Sequence, residues 1–375
     1  MATEDRLGTS FLVLIFIFGA ALIVTVWWEA FETIILPRRV QRRFRLTRFY
    51  YRSTWLPWSA IVRRIRKKQR KEMLLGFYGP LSLIGLLAVW AVVLVFGFAM
   101  LQYGLGSQLK TDGETPGFAL DLYTSGTNFF TLGLGDIVPL TWSARAITVL
   151  EAGTGFGFLA IVIGYLPVIY QSFSRREVTI SMLDARAGSP PNAVELLRRQ
   201  AQDHRADGLD ILLRDWEHWS AELLESHLSY PVLAYFRSQH DNQSWLEALT
   251  TILDASALVM AGLKGRPTSQ SRLTFAMARH TVIDLSQIFN TRPDPQSLDR
   301  LKPDDLERVH AALRAAGMEP DDPAGQRLAH LWRMYEPYVG ALSEYLLMTL
   351  PLWVATPSQK DNWQTTAWES DRESR

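Results

Sequence analysis

Long apolar runs fill the first half of the chain, and amphipathic patterns fill the second. Phe11 to Trp28 is 18 residues without a charge, Met73 to Leu109 is 37, and Ala146 to Ser174 carries Glu151 as its single charge. A helix needs about 20 apolar residues to cross a bilayer core, so the pattern predicts three spans. From Arg175 onward no such run recurs. Helices are predicted there at 192–204, 209–228, 242–262, 270–289, 303–316 and 324–349, with breakers between them such as Pro231, Gly265, Pro267, Pro293, Pro295, Gly317 and Pro320. Asn192 with Glu195 three residues on has the form of a capping box. Ile211, Leu212, Trp216, Trp219 and Leu223 recur at helical spacing. No run of alternating β-branched residues appears. The fold class expected is an all-α membrane protein. Its parts are an N-terminal transmembrane helix (1–37), a loop (38–71), a second membrane module (72–174), an all-α domain (175–355) and a polar tail (356–375) expected to be disordered.

Charge sets the topology. The 39 basic and 38 acidic residues nearly cancel, and the mean hydropathy is +0.00, but both averages hide segregation. Arg38 to Lys71 holds fourteen Arg and Lys and no acid. A basic loop of this kind is retained on the cytoplasmic side. The expected protein is therefore a multi-pass protein of the cell (plasma or inner) membrane, N-terminus outside and C-terminal domain cytoplasmic. A cleaved signal peptide fits the first span poorly, because the preceding flank carries Glu4 and Asp5 and the apolar core is too long. Within the loop, Trp55 to Ile65 mixes aromatic and aliphatic residues with Arg and reads as an interfacial helix. Anionic lipid headgroups, not nucleic acid, are the partner expected for 38–71.

The absence of cysteine excludes disulfides, thiolate zinc sites and cysteine nucleophiles. No motif gathers Ser, His and Asp into a catalytic arrangement, so no enzyme is expected. No Gly-rich βαβ fingerprint appears, so no nucleotide cofactor is expected either. The first span has no charge in its core, which argues against voltage sensing.

Between the second and third spans, Phe118 to Phe130 predicts a helix too short to cross, which must dip in and return. Irregular backbone at membrane depth survives only where protein buries it or a watery cavity meets it. The next residues are Thr131-Leu132-Gly133-Leu134-Gly135-Asp136. Glycines at alternate positions permit backbone conformations closed to other residues, so successive carbonyls can turn toward one axis. Rings of carbonyls replace the hydration shell of a cation, and the Thr131 hydroxyl adds one more oxygen. One such segment cannot surround an ion, so several copies are required.

This layout resembles the potassium channel family. The order is an outer helix (73–103), a pore helix (118–130), a filter (131–135) and an inner helix (143–173). Asp136-Ile137-Val138-Pro139 resembles the family's post-filter turn, and Gly155 sits where the family often has a hinge. The resemblance implies a tetrameric, two-span pore module, to which this chain adds an N-terminal span and the helical domain. It implies potassium as the permeant ion, held by the carbonyls of Thr131, Leu132, Gly133 and Leu134. Gly135 would shape the outer mouth and Asp136 would sit above it, hydrogen-bonded behind the filter. One filter per chain implies a homotetramer. Less selective cation conduction, or a non-conducting membrane sensor or scaffold, are the other readings.

The sequence departs from the family at Leu132, at Leu134, which cannot hydrogen-bond as the commoner tyrosine does, and at Thr127, where some members place an acid behind the filter. Glu151, alone in its span, either reaches toward Thr127 or Asn128 in place of that acid or faces a water-filled cavity. Gly153, Gly155, Gly157 and Pro167 either form a gating hinge or let helices approach closely. Asp112, Glu114, Asp121 and Asp136 either make a negative mouth or simply solvate the outer loop. In the C-terminal half, His218 with Glu222 and His280 with Asp284 have the spacing of divalent-cation ligands on one helix face, with His227, His240, Asp241 and Asp254 as further candidates. Hydrogen-bonded core histidines and proton sensing are the rival readings. The regulatory ligand of this domain is unknown from sequence.

Overall fold

The computed structural model describes residues 2–36, 46–110, 117–202, 207–239, 242–263, 269–293, 300–322, 325–354 and 361–364. Among them are twelve α-helices and one two-stranded ladder, so the protein is an all-α membrane protein. Two compact units form. The first comprises Met1–Trp58 and Pro80–Tyr170, the second Ser59–Gly79 and Gln171–Arg375.

The first unit holds α1 (Ala2–Ala30), most of α2 (Leu46–Arg63) and α3 (Lys68–Gly104), α4 (Phe118–Phe129) and the first part of α5 (Trp142–Ala187). Its core joins Val26 and Ala30 of α1, Leu87, Trp90 and Leu94 of α3, and Phe129 of α4. Helix α1 lies on α3 backbone to backbone. A Cβ added to Gly19 would stand 2.7 Å from Gly97 O, and one on Gly104 would stand 2.9 Å from Leu12 O. Small residues permit this approach, which carries helix association where lipid removes the hydrophobic drive. The extra N-terminal span is thus keyed to the outer helix by glycines on both sides. At the far end of α1, buried Glu29 accepts hydrogen bonds from Thr47 N (3.2 Å) and Thr47 Oγ1 (2.8 Å), which fixes the start of α2. The interfacial helix expected at 55–65 is therefore longer and starts earlier. The loop residues 37–45 lie outside the described residues.

The most apolar stretches of α1 and α5 are each only 11% buried, against 56% for α3. Apolar helical surface left bare in one chain is what lipid or further copies cover. Helix α5 runs unbroken through Gly153, Gly155, Gly157 and Pro167 and on to Ala187, well past the 173 expected. The ladder pairs β1 (Leu109–Lys110) with β2 (Val138–Pro139). It is two residues long on each side, too short for any alternation in the sequence to announce it.

The second unit is a helical domain built round α8 (Trp245–Gly262). This helix is apolar enough to cross a membrane by composition, yet 89% of it is buried. Helices α6 (Ala193–Gln202), α7 (Gly208–Ser229), α9 (Ser269–Phe289), α11 (Gln326–Arg333) and α12 (Glu336–Leu346) all pack on it. With Trp245, Leu249, Ile252 and Leu253 at 0% exposure, no face remains for lipid, and α8 is the core of the domain. Helix α10 (Pro303–Ala315) completes the bundle by packing on α6. The single helix expected at 324–349 is two. Pro337 in the first turn of α12 has no N–H to continue a helix from α11. The tail is in part docked. Asp361 pairs with Arg199 at 2.9 Å, and Trp363 N donates to Asp184 Oδ2 at 3.2 Å. The remainder of 356–375 lies outside the described residues.

A buried ion cluster ties α8 to α12. Arg300 donates to Asp254 at 3.0 and 3.1 Å and to Glu336 at 2.8 and 2.6 Å, and Tyr335 OH donates to Asp254 as well. Removing one partner of such a pair strands charge in a low-dielectric interior. Arg300→Met leaves two carboxylates facing each other, and a loss of about 3–5 kcal/mol in unfolding free energy is expected. Denaturant unfolding of the purified protein, followed by tryptophan fluorescence, checks it. An unchanged midpoint contradicts the assignment of this cluster as a structural element.

Candidate functional site

The site grows from α4. Its 12 residues make a helix about 18 Å long, too short to span. It buries Leu120, Asp121, Thr124, Ser125 and Phe129, one face at helical spacing. Past Phe130 the chain turns sharply, with Thr131 N donating to Asn128 O (3.0 Å) and Leu132 N to Thr127 O (2.8 Å). Then the backbone hand alternates: φ is +56° at Thr131, +56° at Gly133 and +77° at Gly135. In an ordinary strand successive carbonyls point opposite ways. Reversing the hand of every other residue brings them to one side. Glycine adopts this at no steric cost. A β-branched residue at positive φ is a true outlier and costs about 1–3 kcal/mol, which the surroundings must impose. Leu132 and Leu134 are 62% and 61% exposed, so this segment stands uncovered in a single chain.

One contact reaches the residue after the segment, and two hold the helix before it. Tyr123 OH donates to Asp136 Oδ2 at 3.1 Å, joining α4 to the residue that follows the segment. Glu151 on α5, 0% exposed, is hydrogen-bonded to Ser125 Oγ, whose single hydroxyl hydrogen is shared between that carboxyl group and Val95 O at 2.6 Å. Asn128 lies beside the same carboxylate. Gly155, one turn along α5, touches the last turn of α4: a Cβ there would fall 1.9 Å from Phe129 O.

The expected residues sort out as follows. Of the two groups predicted to meet Glu151, Asn128 is beside it, while Thr127 Oγ1 bonds Thr124 O within its own helix (2.9 Å). Gly155 is a close-approach glycine, its neighbour being α4. Gly153 has open space around it, and the nearest atom to a Cβ on Gly157 is Trp27 at 3.9 Å. Asp121 is no part of a solvated mouth, because it is 0% exposed and accepts from Ser107 Oγ at 2.5 Å. Asp112 and Glu114 lie outside the described residues. His218 reaches Glu222 at 3.3 Å and His280 reaches Asp284 at 3.4 Å. Among the described residues no third His, Asp or Glu joins either pair. His227 is buried with its Nε2 3.4 Å from Arg176 Nη1, and burial beside that cation holds its pKa well below the ordinary histidine value. Asp254 belongs to the Arg300 cluster. His240 and Asp241 lie outside the described residues.

Sequence reasoning missed Tyr123 and Ser125. A signal was present. Asp121, Ser125 and Asn128 recur at four and three residues, a polar stripe along a helix too short to leave the membrane. Such a stripe needs partners, and Glu151 supplies one to Ser125 and Ser107 one to Asp121.

Residues 87–171 match the model of a family described as an ion channel, so this stretch, about a quarter of the chain, is an ion-channel segment. It contains α4, the 131–135 segment and the first part of α5. An uncharacterized membrane protein of Bacillus subtilis (strain 168) is 22% identical over 213 residues, covering 56% of this chain and 60% of the relative. The chain thus spans about three fifths of that relative's length. No solved structure matches.

The Gly155 contact yields a sharp expectation. Gly155→Ala puts a methyl group where the Phe129 carbonyl stands, and overpacking of this kind costs about 1–3 kcal/mol. Gly153→Ala, whose Cβ meets nothing within 4 Å in one chain, lacks this clash and is expected to cost less. Thermal midpoints and single-channel recordings of both variants check this. Equal behaviour of the two removes the contact from the account.

Proposed function

We propose that the protein is a homotetrameric, potassium-selective channel that conducts passively and performs no chemical reaction. The observation that carries this reading is the alternation of backbone hand at Thr131, Gly133 and Gly135, directly after a short re-entrant helix and inside the segment that resembles ion channels. Carbonyls of Thr131, Leu132, Gly133 and Leu134 from four copies would replace the water around a dehydrated potassium ion. Gly135 and Asp136 would form the outer mouth. The bare apolar surface of α5, including Val149, Leu150, Phe156 and Ile163, offers area for neighbouring copies and lipid. The basic loop supports a cytoplasmic C-terminal domain and contact with anionic headgroups.

Tyr123, held on Asp136, supplies a brace that Leu134 lacks. The second reading is a weakly selective monovalent cation channel. It is favoured by Leu134, 61% exposed and without a polar group to lock the segment's spacing. A non-conducting sensor is the third.

The bi-ionic reversal potential of the reconstituted protein, potassium against sodium, decides among them. A reversal far from zero toward potassium is expected. A value near zero favours the less selective channel, and no current under any condition favours the sensor. Gly133→Ala forces a side chain into a left-handed position at about 1–2 kcal/mol per copy. Loss of selectivity or conduction is the expected result, and an unchanged current refutes the filter assignment. Glu151→Gln keeps the shape of the buttress and is expected to alter inactivation or selectivity.

A further inference from the structure

The second unit contains a polar cavity of about 320 Å³, lined by Glu72 and Gly76 of α3 and by Arg237, Ser238, Gln243 and Ser244 among others. Arg237 is fixed at one end, where its Nη2 donates to the carbonyls of Leu346 and Leu347. A guanidinium has five N–H donors, so most remain for the cavity. Burial lowers its pKa to about 10, which leaves it charged at neutral pH. Glu72 acts on it electrostatically across the cavity, yet the two make no ion pair. Ser238 Oγ is buried without a partner. Behind Ser244, which caps α8 by accepting from Glu247 N at 3.1 Å, the 3%-exposed Glu247 keeps Oε2 unpartnered.

Opposite charges held apart around a polar void select their occupant. A simple anion would meet Arg237 but be repelled by Glu72, and a simple cation the reverse. We propose that this cavity is a binding site for a small zwitterion of the amino-acid class, its carboxylate on Arg237 and its ammonium on Glu72, with Ser238 and Gln243 completing the hydrogen bonds.

The same chain segment grips α5. Arg176, 4% exposed, donates to Leu233 O and Phe236 O at 2.9 Å each, and Phe236 is the residue before Arg237. Occupancy at Arg237 therefore bears on the carbonyls that hold the continuation of the inner helix. This coupling rests on the channel reading, while binding itself does not.

Thermal-shift measurements on the full-length protein in detergent test the site, with each common L-amino acid, acetate and methylammonium as separate probes. At least one amino acid is expected to raise the midpoint, and neither single-charge half to do so. Glu72→Gln removes one charge. Gly76→Leu fills the cavity without touching a charge, and a Cβ at Gly76 meets nothing within 4 Å, so the variant should fold. Each is expected to weaken binding by about tenfold or more. No shift with any amino acid, an equal shift with acetate or methylammonium, or undiminished binding in both variants overturns the proposal. In reconstituted bilayers the bound amino acid should change open probability in the unmodified protein and not in Gly76→Leu. Binding without any current would refute the channel and leave the site standing, whereas potassium current without binding would refute the site alone.

Discussion

Five residues cannot by themselves hold their carbonyls to one side. An alternating left- and right-handed backbone is strained at Thr131 and merely permitted at Gly133 and Gly135, so the conformation must be imposed from outside. The helix that leads into the segment, α4, is held at its end by α5. Gly155 brings the two helices to backbone distance at Phe129, and Glu151, one turn earlier, bonds Ser125 on the same helix. The two residues act as a pair. The glycine sets the separation, and the carboxyl group gives Ser125 a polar partner at membrane depth. Tyr123 then carries the restraint from α4 to Asp136 on the far side of the segment.

What was legible in the chain follows from how local each signal was. Long uncharged runs announce spans because a bilayer imposes a length, and the short helix was legible because it could not meet that length. Glycine spacing announced the segment after it. The partner of Glu151 was only half legible. A lone acid in a span must find a polar group, but Ser125 lies 26 positions away along the chain, and nothing local chooses between Thr127, Asn128 and Ser125. Thr127 lost because its hydroxyl bonds back into its own helix, a competition common to Ser and Thr in helices.

Gly155 shows the limit of reading glycine from composition. Three glycines in five residues look like a flexible cluster, yet each meets a different environment: open space at Gly153, a carbonyl at Gly155, an indole edge at Gly157. The helix stays continuous through all of them. Within one chain the middle one is required by packing, because a helix crossing at backbone distance needs a missing side chain at one point of contact. Likewise α8, expected as a domain helix, is apolar enough by composition to cross a membrane, yet 89% of it is buried by the helices packed on it. Hydropathy measures what a segment avoids, and the neighbours decide whether lipid or protein answers it.

Within the second unit the last part of α5 is held by one buried side chain. Arg176 is buried, and its guanidinium is shared among Glu177, Leu233 O and Phe236 O, with the ring of Phe173 beneath it. An arginine fork is well suited to such a joint, since its planar donors fix direction as well as distance. Two of those carbonyls belong to the short turn Pro231–Tyr235 and the residue after it, and a turn of one 3₁₀ helix has little internal bonding to resist displacement. A stiff clamp seated on a soft turn passes on whatever moves the turn.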